Sequence, residues 1–221
     1  MSVLTLTNVC YSYKNSRMRA VKEVSCTFVP GLLYALVGPS GSGKSTLLSL
    51  LAGLDLPSEG EIKLNGDSLA KLNLDRYRRE SIAMIFQSFQ LFPLLTVMEN
   101  VCYPMELCGS RPSAARARAA QLLERVGITK NEMARFPSHL SGGQQQRVAI
   151  ARSLASGAKI ILADEPTGNL DSANTENIMG ILHRLAHDEG YCVIVVTHDH
   201  EVAQAADVVF GMKDGVITQD A

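Results

Sequence analysis

A glycine-rich segment with a lysine followed by two hydroxyl side chains, GPSGSGKST, occupies residues 38–46 directly after an apolar run. Its glycines let backbone amides curl around phosphate oxygens, the Lys44 ammonium can reach the outer phosphates of a nucleotide, and the Ser45 hydroxyl can ligate Mg²⁺. A loop that only capped a helix would not need these groups in this order. The residues predicted to bind the nucleotide are Gly38, Ser40, Gly41, Gly43, Lys44, Ser45 and Thr46.

Two adjacent carboxylates end the apolar run IILADEP at residues 160–166. Because side chains alternate along a strand, Asp164 and Glu165 cannot serve the same purpose. Beside a phosphate loop, Asp164 is suited to hold Mg²⁺, often through water, and Glu165 to face the point where water attacks the γ-phosphate. The alternative is a pair of solvated carboxylates in a turn, which Pro166 would also suit.

Two further polar side chains follow apolar runs: His198 comes after residues 193–197, and Gln87 comes after residues 82–86. Ligands of an open α/β sheet bind at the carboxyl ends of its strands, so polar groups at several strand ends indicate one site. An imidazole there can bind a γ-phosphate or orient the attacking water, and the Gln87 amide can ligate Mg²⁺ or sense that water. A lone histidine after a strand is more often structural, and a lone glutamine proves nothing.

A second glycine-containing stretch, HLSGGQQQRVAIARSL at residues 139–154, places a serine and two glycines before an apolar, helix-like run. Two adjacent glycines cost backbone entropy and bury nothing, so their presence needs a reason. A helix N-terminus with bare amides is an anion site, to which Ser141 adds a hydroxyl and Gly143 an unobstructed amide. The sequence therefore predicts two helix starts that bind phosphate.

Strand-like and helix-like segments alternate along the chain, which predicts an α/β fold with a mainly parallel sheet. Buried strands are predicted at residues 32–37, 82–86, 160–163 and 193–196, with further strands at 208–210 and 216–217. An N-terminal antiparallel portion is predicted from residues 3–8, 25–29 and 61–64, the last followed by the hairpin turn Asn65-Gly66. Helices are predicted at residues 46–54, 74–79, 113–126 and 175–188.

Residues 87 to 138 carry few strand signals, and we interpret them as a helical insertion. We predict a single domain over residues 1–221, with a nucleotide-binding core formed by 1–86 and 150–221. A helical subdomain, 87–149, would carry the second glycine-containing stretch.

Composition excludes several classes of protein. Lys and Arg total 21 against 22 Asp and Glu, so no strong positive charge indicates nucleic-acid binding. The five cysteines lack the spacing of a metal site and fit reduced thiols of a cytosolic protein. No N-terminal signal is recognised, and no apolar run approaches the ~20 residues of a membrane helix. We therefore expect neither export nor direct membrane insertion.

The combination of GPSGSGKST, Gln87, LSGGQQQR, ILADEP, GNLD and His198 resembles the ATP-binding cassette (ABC) family over essentially the whole chain. LSGGQ is that family's signature motif and is far more specific than a phosphate loop. The resemblance implies a head-to-tail homodimer in which one copy's signature closes over the γ-phosphate of ATP held by the other copy. The signature residues that would contact this ATP are Ser141, Gly142, Gly143 and Gln144.

The resemblance also implies roles for single residues. It makes Glu165 the general base, Asp164 the Mg²⁺ carboxylate and His198 the switch histidine. Tyr13 is similar to the aromatic residue that stacks on adenine; Tyr11 is a weaker candidate, and a surface tyrosine is the alternative. Asp171, in the sequence NLD, matches the loop that links the two ATP sites of the dimer. One departure is the pair GL at residues 31–32, where relatives usually have Gly-Glu.

The function implied is that of the ATPase subunit of a membrane transporter or mechanotransmitter, acting at the cytoplasmic face of the membrane with an integral membrane permease. The apolar segment SFQLFPLLTV at residues 88–97 matches the region that receives a helix of the membrane subunit, unless it only packs the helical insertion. The motifs GQQQR and DEPTGNLD resemble the subgroup of macrolide exporters, lipoprotein-release systems, antimicrobial-peptide resistance pumps and the division-associated cassette.

Two alternatives remain open. One is a soluble cassette ATPase in a process such as cell division, DNA repair or translation; repair and translation relatives usually carry paired cassettes or long insertions. The other is an unrelated phosphate-loop enzyme such as a small-molecule kinase, which would leave LSGGQ and GNLD unexplained.

Overall fold

The computed structural model of the protein describes residues 3–14 and 18–219. The strands of this part are β1 (Leu4–Ser12), β2 (Arg19–Phe28), β3 (Leu33–Val37), β4 (Glu59–Leu64), β5 (Asp67–Ser68), β6 (Ile82–Phe86), β7 (Ile160–Asp164), β8 (Cys192–Thr197), β9 (Val208–Lys213) and β10 (Val216–Gln219). The α-helices are α1 (Lys44–Leu51), α2 (Leu74–Glu80), α3 (Val97–Leu107), α4 (Pro112–Arg125), α5 (Lys130–Met133), α6 (Gly142–Leu154), α7 (Ser172–His187) and α8 (His200–Gln204).

The strands form two sheets. The larger sheet has the order β10-β9-β3-β8-β7-β6; its strands run parallel except for β10, which pairs antiparallel with β9. The smaller sheet, β2-β1-β4-β5, is antiparallel throughout. Every residue of β8 is buried, as expected for a parallel strand covered on both faces. The predicted α/β fold with an N-terminal antiparallel portion is confirmed.

Successive residues of the parallel strands face two different hydrophobic cores, because side chains alternate along a strand. Val193 and Val195 of β8 pack with the apolar faces of α3, α4, α6 and α7. Ile194 and Val196 of the same strand pack with α1 and the antiparallel sheet. Helix α1 therefore packs against both sheets, which explains why all of its leucines are buried.

Helix α3 is not among the helices predicted from the sequence. Its start carries a capping box, in which the Thr96 hydroxyl accepts from the Glu99 amide at 3.2 Å and the Thr96 amide donates to the Glu99 carboxylate at 2.7 Å. Pro104 lies inside the helix and argues against one in the sequence. The spacing Thr-x-x-Glu before an apolar run is the signal that could have revealed it.

No helix formed by residues 3–14 and 18–219 is both long and apolar enough to cross a membrane. Helices α3, α4 and α6 pack on one another and on the sheet face opposite α1. The predicted subdomain boundary at residue 149 falls within α6, so the division into core and helical subdomain stays a prediction.

Candidate active site

The glycine-rich loop connects β3 with α1 and leaves no room for side chains at two of its glycines. A Cβ atom on Gly43 would lie 2.3 Å from the Ala20 carbonyl oxygen, and one on Gly38 would lie 2.1 Å from the Met212 carbonyl oxygen. Gly43 also has a φ of 109°, and no side chain in the described part of the chain caps the helix that starts after it. The first amides of α1 are therefore uncapped, as in an anion-binding helix start.

Lys44 and Ser45 begin helix α1 and contact two different groups. The buried Lys44 ammonium donates to the carbonyl oxygens of Gly38 at 2.7 Å and Pro39 at 3.0 Å. The Ser45 hydroxyl lies 3.5 Å from Asp164 Oδ1, at the end of β7. The structure thus brings the predicted lysine, hydroxyl and carboxylate together at one edge of the sheet.

The oxygens of Ser45 and Asp164 are of the type that Mg²⁺ prefers. Burial, and then the negative charge of Glu165, raises the pKa of Asp164, while Ser45 and Lys44 act in the opposite direction. A bound cation would offset both unfavourable effects on the carboxylate. Within the described ranges no three His, Cys, Asp or Glu side chains are arranged to hold a metal alone. This donor set suits an ion that also takes phosphate and water ligands.

Glu165 and His198 are in direct contact. Glu165 follows β7 and His198 follows the adjacent strand β8, and the imidazole Nδ1 lies 2.7 Å from Glu165 Oε1. The Thr197 hydroxyl donates to the other carboxylate oxygen at 3.4 Å. The hydrogen bond to Glu165, and then its charge, raises the pKa of His198. The two predicted catalytic side chains therefore form one hydrogen-bonded unit beside the phosphate loop.

These groups line a cavity of about 620 Å³ that is open to solvent. Its lining residues are Tyr13, Ala20, Ser40, Gly41, Gly43, Lys44, Ser45, Thr46, Asp164, Glu165, Val196 and His198. Tyr13 reaches the rim from the end of β1, and its hydroxyl shares a 2.8 Å hydrogen bond with Thr46 Oγ1. The Tyr11 ring meets the Tyr13 ring edge-on, with 5.1 Å between centroids, but does not belong to the lining.

Gln87 lies apart from this cavity. It follows β6, and its side-chain nitrogen would be 2.8 Å from a Cβ atom placed on Gly168. The backbone carbonyl oxygen of Gln87 accepts a hydrogen bond from the Asn169 side-chain nitrogen at 3.1 Å. Gln87 therefore packs against the loop that follows Glu165, away from the described lining of the cavity. Its roles in catalysis and Mg²⁺ binding stay predictions.

The signature residues also lie outside the lining of the cavity. The Ser141 hydroxyl accepts from the Gln144 amide at 3.3 Å, and Gln144 Oε1 accepts from the Ser141 amide at 2.8 Å, so the start of α6 is closed by its own side chains. Gln144 Nε2 also donates to Glu132 of α5 at 2.5 Å. A Cβ atom on Gly143 would lie 2.0 Å from Asn174 Oδ1 of α7, so a larger residue here would force the Asn174 side chain to move.

Asp171 caps helix α7. One of its carboxylate oxygens accepts from the Asn174 backbone amide at 2.8 Å and from the Asn174 side chain at 2.9 Å, and these bonds lower the Asp171 pKa. Sequence reasoning did not single out Glu132, Asn174 or Thr197. The Thr129-x-x-Glu132 capping box is a local signal that could have marked Glu132, and Asn174 bonds the Asp171 carboxylate three residues earlier. The contact of Thr197 with Glu165 has no local signal, because it joins segments that meet only in the folded chain.

The model of the ABC transporter family matches residues 21–168 of this chain. An uncharacterized ABC transporter ATP-binding protein of Bacillus subtilis, YclH, is 39% identical over 218 residues, covering 99% of this chain and 96% of that protein. The macrolide export ATP-binding/permease protein MacB of a Shewanella species is 44% identical over 207 residues, which are 92% of this chain but only 32% of MacB.

A similar solved structure is the dimeric, post-hydrolysis state of the ATP-binding cassette MJ0796 bound to ADP and phosphate. It is 39% identical, with a TM-score of 0.88, over 98% of this chain and 97% of that one. The chain therefore belongs to the ABC transporter family and is an ATPase of that family. The resemblance stated from the motifs is confirmed, and so is the predicted architecture of an ABC nucleotide-binding domain.

Proposed function

We propose that this chain forms a head-to-tail homodimer around two ATP molecules and drives a separate integral membrane permease. The observation that carries the proposal is the separation of the two predicted phosphate-binding helix starts. The start of α1 opens into the 620 Å³ cavity, whereas Ser141 and Gly143 lie outside its described lining. A second copy supplying its signature residues would complete each site, and the similar structure of the cassette MJ0796 is dimeric.

Within one copy, the proposed binding steps follow from the geometry. Lys44 exchanges the carbonyl oxygens of Gly38 and Pro39 for phosphate oxygens, and the uncapped amides of α1 bind the same phosphates. Ser40, Gly41, Gly43 and Thr46 complete the cradle, and Tyr13 stacks on adenine at the rim. Ser45 and Asp164 would hold Mg²⁺, which would neutralise charge on the phosphates.

For the chemical step, Glu165 accepts a proton from the attacking water, and His198 orients the carboxylate while facing the γ-phosphate. Ser141, Gly142, Gly143 and Gln144 of the second copy close the site by binding the γ-phosphate. Gln87 and Asp171 lie on either side of the loop that follows Glu165. In this proposal they transmit the closing of the dimer from the ATP site to the rest of the chain. Positioning and charge neutralisation carry most of phosphoryl transfer, so a site split over two copies acts only when closed.

The surface proposed for the permease lies on residues 87–149, the proposed helical subdomain beside the core of 1–86 and 150–221. The fully buried Asn100 amide fixes the apolar segment 88–97, since its nitrogen donates to the carbonyl oxygens of Phe92, Leu95 and Thr96. This leaves Leu94 exposed to 87%. A groove of about 460 Å³ lies beside it, lined by Leu95, Met98, Glu99, Cys102, Tyr103, Glu106, Pro112, Ser113 and Arg116.

The likeness to MacB supports an export, extraction or mechanotransmission role for the complex. This chain spans 32% of that protein, whose name includes a permease. We propose that a separate chain supplies the membrane part, in keeping with the likeness to YclH, an ABC transporter ATP-binding protein of which 96% is covered. The ATPase would then lie at the cytoplasmic face of the membrane, held there by its partner. It would neither insert into the bilayer nor bind nucleic acid, in keeping with its near-neutral charge.

Affinity purification tests this proposal. Tagged Glu165→Gln protein is expressed in its native cells, extracted in mild detergent with ATP and Mg²⁺, and its partners are identified by mass spectrometry. We expect a polytopic membrane protein, which is lost when Leu94→Lys is added but retained with Leu54→Lys. Leu54 is the matched control, because it is also exposed (57%) but lies after α1. Recovery of soluble or nucleic-acid partners alone would favour a soluble cassette ATPase.

A further inference from the structure

A buried amide joins the signature helix to the residue behind Glu165. Gln146 of α6 is fully buried, and its Nε2 donates to the carbonyl oxygen of Pro166 at 2.7 Å. Its Oε1 has no hydrogen-bond partner among the residues that the structure describes. Pro166 is itself buried and directly follows Glu165 in the chain. The contact therefore links the helix that carries Ser141 to the proposed general base.

The backbone at Glu165 needs such support. Its φ is 48°, in the left-handed region that residues with a Cβ atom adopt at an energetic cost. Strained residues persist only where the surrounding structure holds them. The Glu165 amide donates to the Val196 carbonyl oxygen at 2.9 Å, and the Glu165 carbonyl accepts from Gly168 at 3.1 Å. The hydrogen bond from Gln146 fixes the carbonyl group of the next residue, Pro166. Together the three hydrogen bonds hold the turn at Glu165.

The chemistry of Gln146 argues for a positional role. A buried amide that leaves one polar atom unpaired is less favourable than an apolar side chain of similar volume. The amide is nevertheless placed where its nitrogen meets one particular carbonyl group, that of Pro166. Without this donor, the buried Pro166 carbonyl would lose its fixed direction, and the left-handed turn at Glu165 would be free to relax.

A second contact lies one helical turn away. Gly143 packs so closely on Asn174 that a Cβ atom would lie 2.0 Å from its side-chain oxygen, and Asn174 binds the capping carboxylate of Asp171. Helix α6 thus contacts Pro166, directly after Glu165, and Asn174, in the first turn of α7.

We infer that Gln146 is a positioning residue for ATP hydrolysis, which holds the Pro166 carbonyl so that the Glu165 carboxylate stays directed at Thr197 and His198. The inference rests on the proposed role of Glu165 as the general base. Gln146 itself touches neither the cavity nor the reacting atoms. Gln146 acts on the site through the backbone of Pro166. In each copy it connects the signature residues, which contact the partner's ATP, with that copy's own general base, Glu165.

The first test separates kcat from KM. In purified protein, Gln146→Met removes the donor at similar volume; we expect kcat for ATP hydrolysis to fall at least about tenfold, with the KM for ATP within about twofold of the wild-type value. Leu154→Ala is the control, since Leu154 is buried at the far end of the same helix. Assayed well below both melting temperatures, it should keep its kcat. A Gln146→Met kcat within twofold of wild type would overturn the inference.

The second test is a double-mutant cycle with Glu165→Gln, measured as residual single-turnover hydrolysis. If Gln146 acts through Glu165, Gln146→Met adds no further loss in the Glu165→Gln background. A purely structural role would lower both backgrounds alike and would contradict the inference. Should Gln146→Met fail to fold, Gln146→Asn, whose shorter amide does not reach Pro166, takes its place in both tests. Wild-type turnover by Glu165→Gln alone would show that Glu165 is not the general base. That result would contradict the proposed function, and so differs from a failure of the inference about Gln146.

Discussion

The starts of helices α1 and α6 are both predicted to bind phosphate, but the structure prepares them differently. At α1 the preceding residue is the left-handed Gly43, and no described side chain caps the helix. At α6 the Ser141 hydroxyl accepts from the Gln144 amide, while the Gln144 side chain accepts from the Ser141 amide. One helix start is open toward a cavity, and the other is closed by its own residues.

This difference indicates how each helix start is used. Backbone amides that lack any other acceptor are ready for an anion without rearrangement. A reciprocal cap contributes about 1 kcal/mol, so a phosphate arriving at α6 must replace that interaction. We therefore interpret α1 as the permanent nucleotide site and α6 as a surface that engages phosphate only when a second copy presents it.

The largest effect is expected from Glu165→Gln. This variant should hold the α1 start of one copy and the α6 start of its partner on the same ATP molecule. Removing a general base should lower kcat by about 10²- to 10⁴-fold while leaving ATP binding intact. Size-exclusion chromatography should then show a dimer that persists with ATP and Mg²⁺. Glu176→Gln, at an exposed glutamate of α7, should turn over normally and form no trapped dimer. Near-normal turnover by Glu165→Gln would exclude Glu165 as the base.

Ser141→Arg should disable the start of α6 while leaving ATP binding at the start of α1 intact. A long side chain at the signature prevents close approach to the partner's phosphate, and a misplacement of about 1 Å can cost on the order of 10²-fold in rate. We expect loss of ATP-dependent dimerisation and of hydrolysis, with ATP binding by the isolated monomer unchanged in equilibrium titration. Weakened monomer binding would mean that the signature contacts its own nucleotide, against our interpretation of α6.

A pair of glycine substitutions compares the two helix starts directly. Gly43→Ala puts a Cβ atom 2.3 Å from the Ala20 carbonyl oxygen at a φ of 109°, so we expect a loss of about 1–3 kcal/mol in the free energy of unfolding and weaker ATP binding. Gly142→Ala has its nearest contact at 3.5 Å, from Leu170, and should be tolerated. Urea unfolding measures both variants, and equal losses would contradict the difference in backbone fit.

The smallest expected effect is the pH dependence of the His198–Glu165 pair. Because the folded-state pKa of His198 is raised, the pair stabilises the folded chain fully below the ordinary imidazole pKa of about 6.5, and this contribution disappears as pH rises through the folded-state value. His198→Asn should therefore lower the free energy of unfolding more at about pH 5.5 than at about pH 8.5.

A direct check on that pair is an NMR titration of the His198 imidazole. In Glu165→Gln the carboxylate is gone, so the His198 pKa should return toward its ordinary range. The exposed His139, whose ring packs on Phe136, provides a reference signal in both proteins. An unchanged His198 titration would show that the two side chains do not pair in solution.

Local sequence signals predicted most of the fold and the types of residue in the site. The loop at 38–46 and the buried strands around it could be predicted because glycines, charges and apolar runs act over a few residues. Helix α3 was missed because its apolar sequence was interpreted as a loop, although a capping box at Thr96 and Glu99 marks its start. The bond from Gln146 to Pro166 and that from Gln144 to Glu132 could not be predicted, since these partners lie 20 and 12 residues apart in sequence.

The sequence alone thus determined the chemistry that this protein can perform and the order of its elements. Only the tertiary structure decided which polar groups meet. Pairing of β7 with β8 puts Asp164 opposite Val196, and so brings Glu165 to His198. Gln87 follows β6, the other neighbour of β7, yet packs against the loop behind Glu165. The physical reason is that strand order, register and backbone direction at a turn are fixed by long-range pairing and packing.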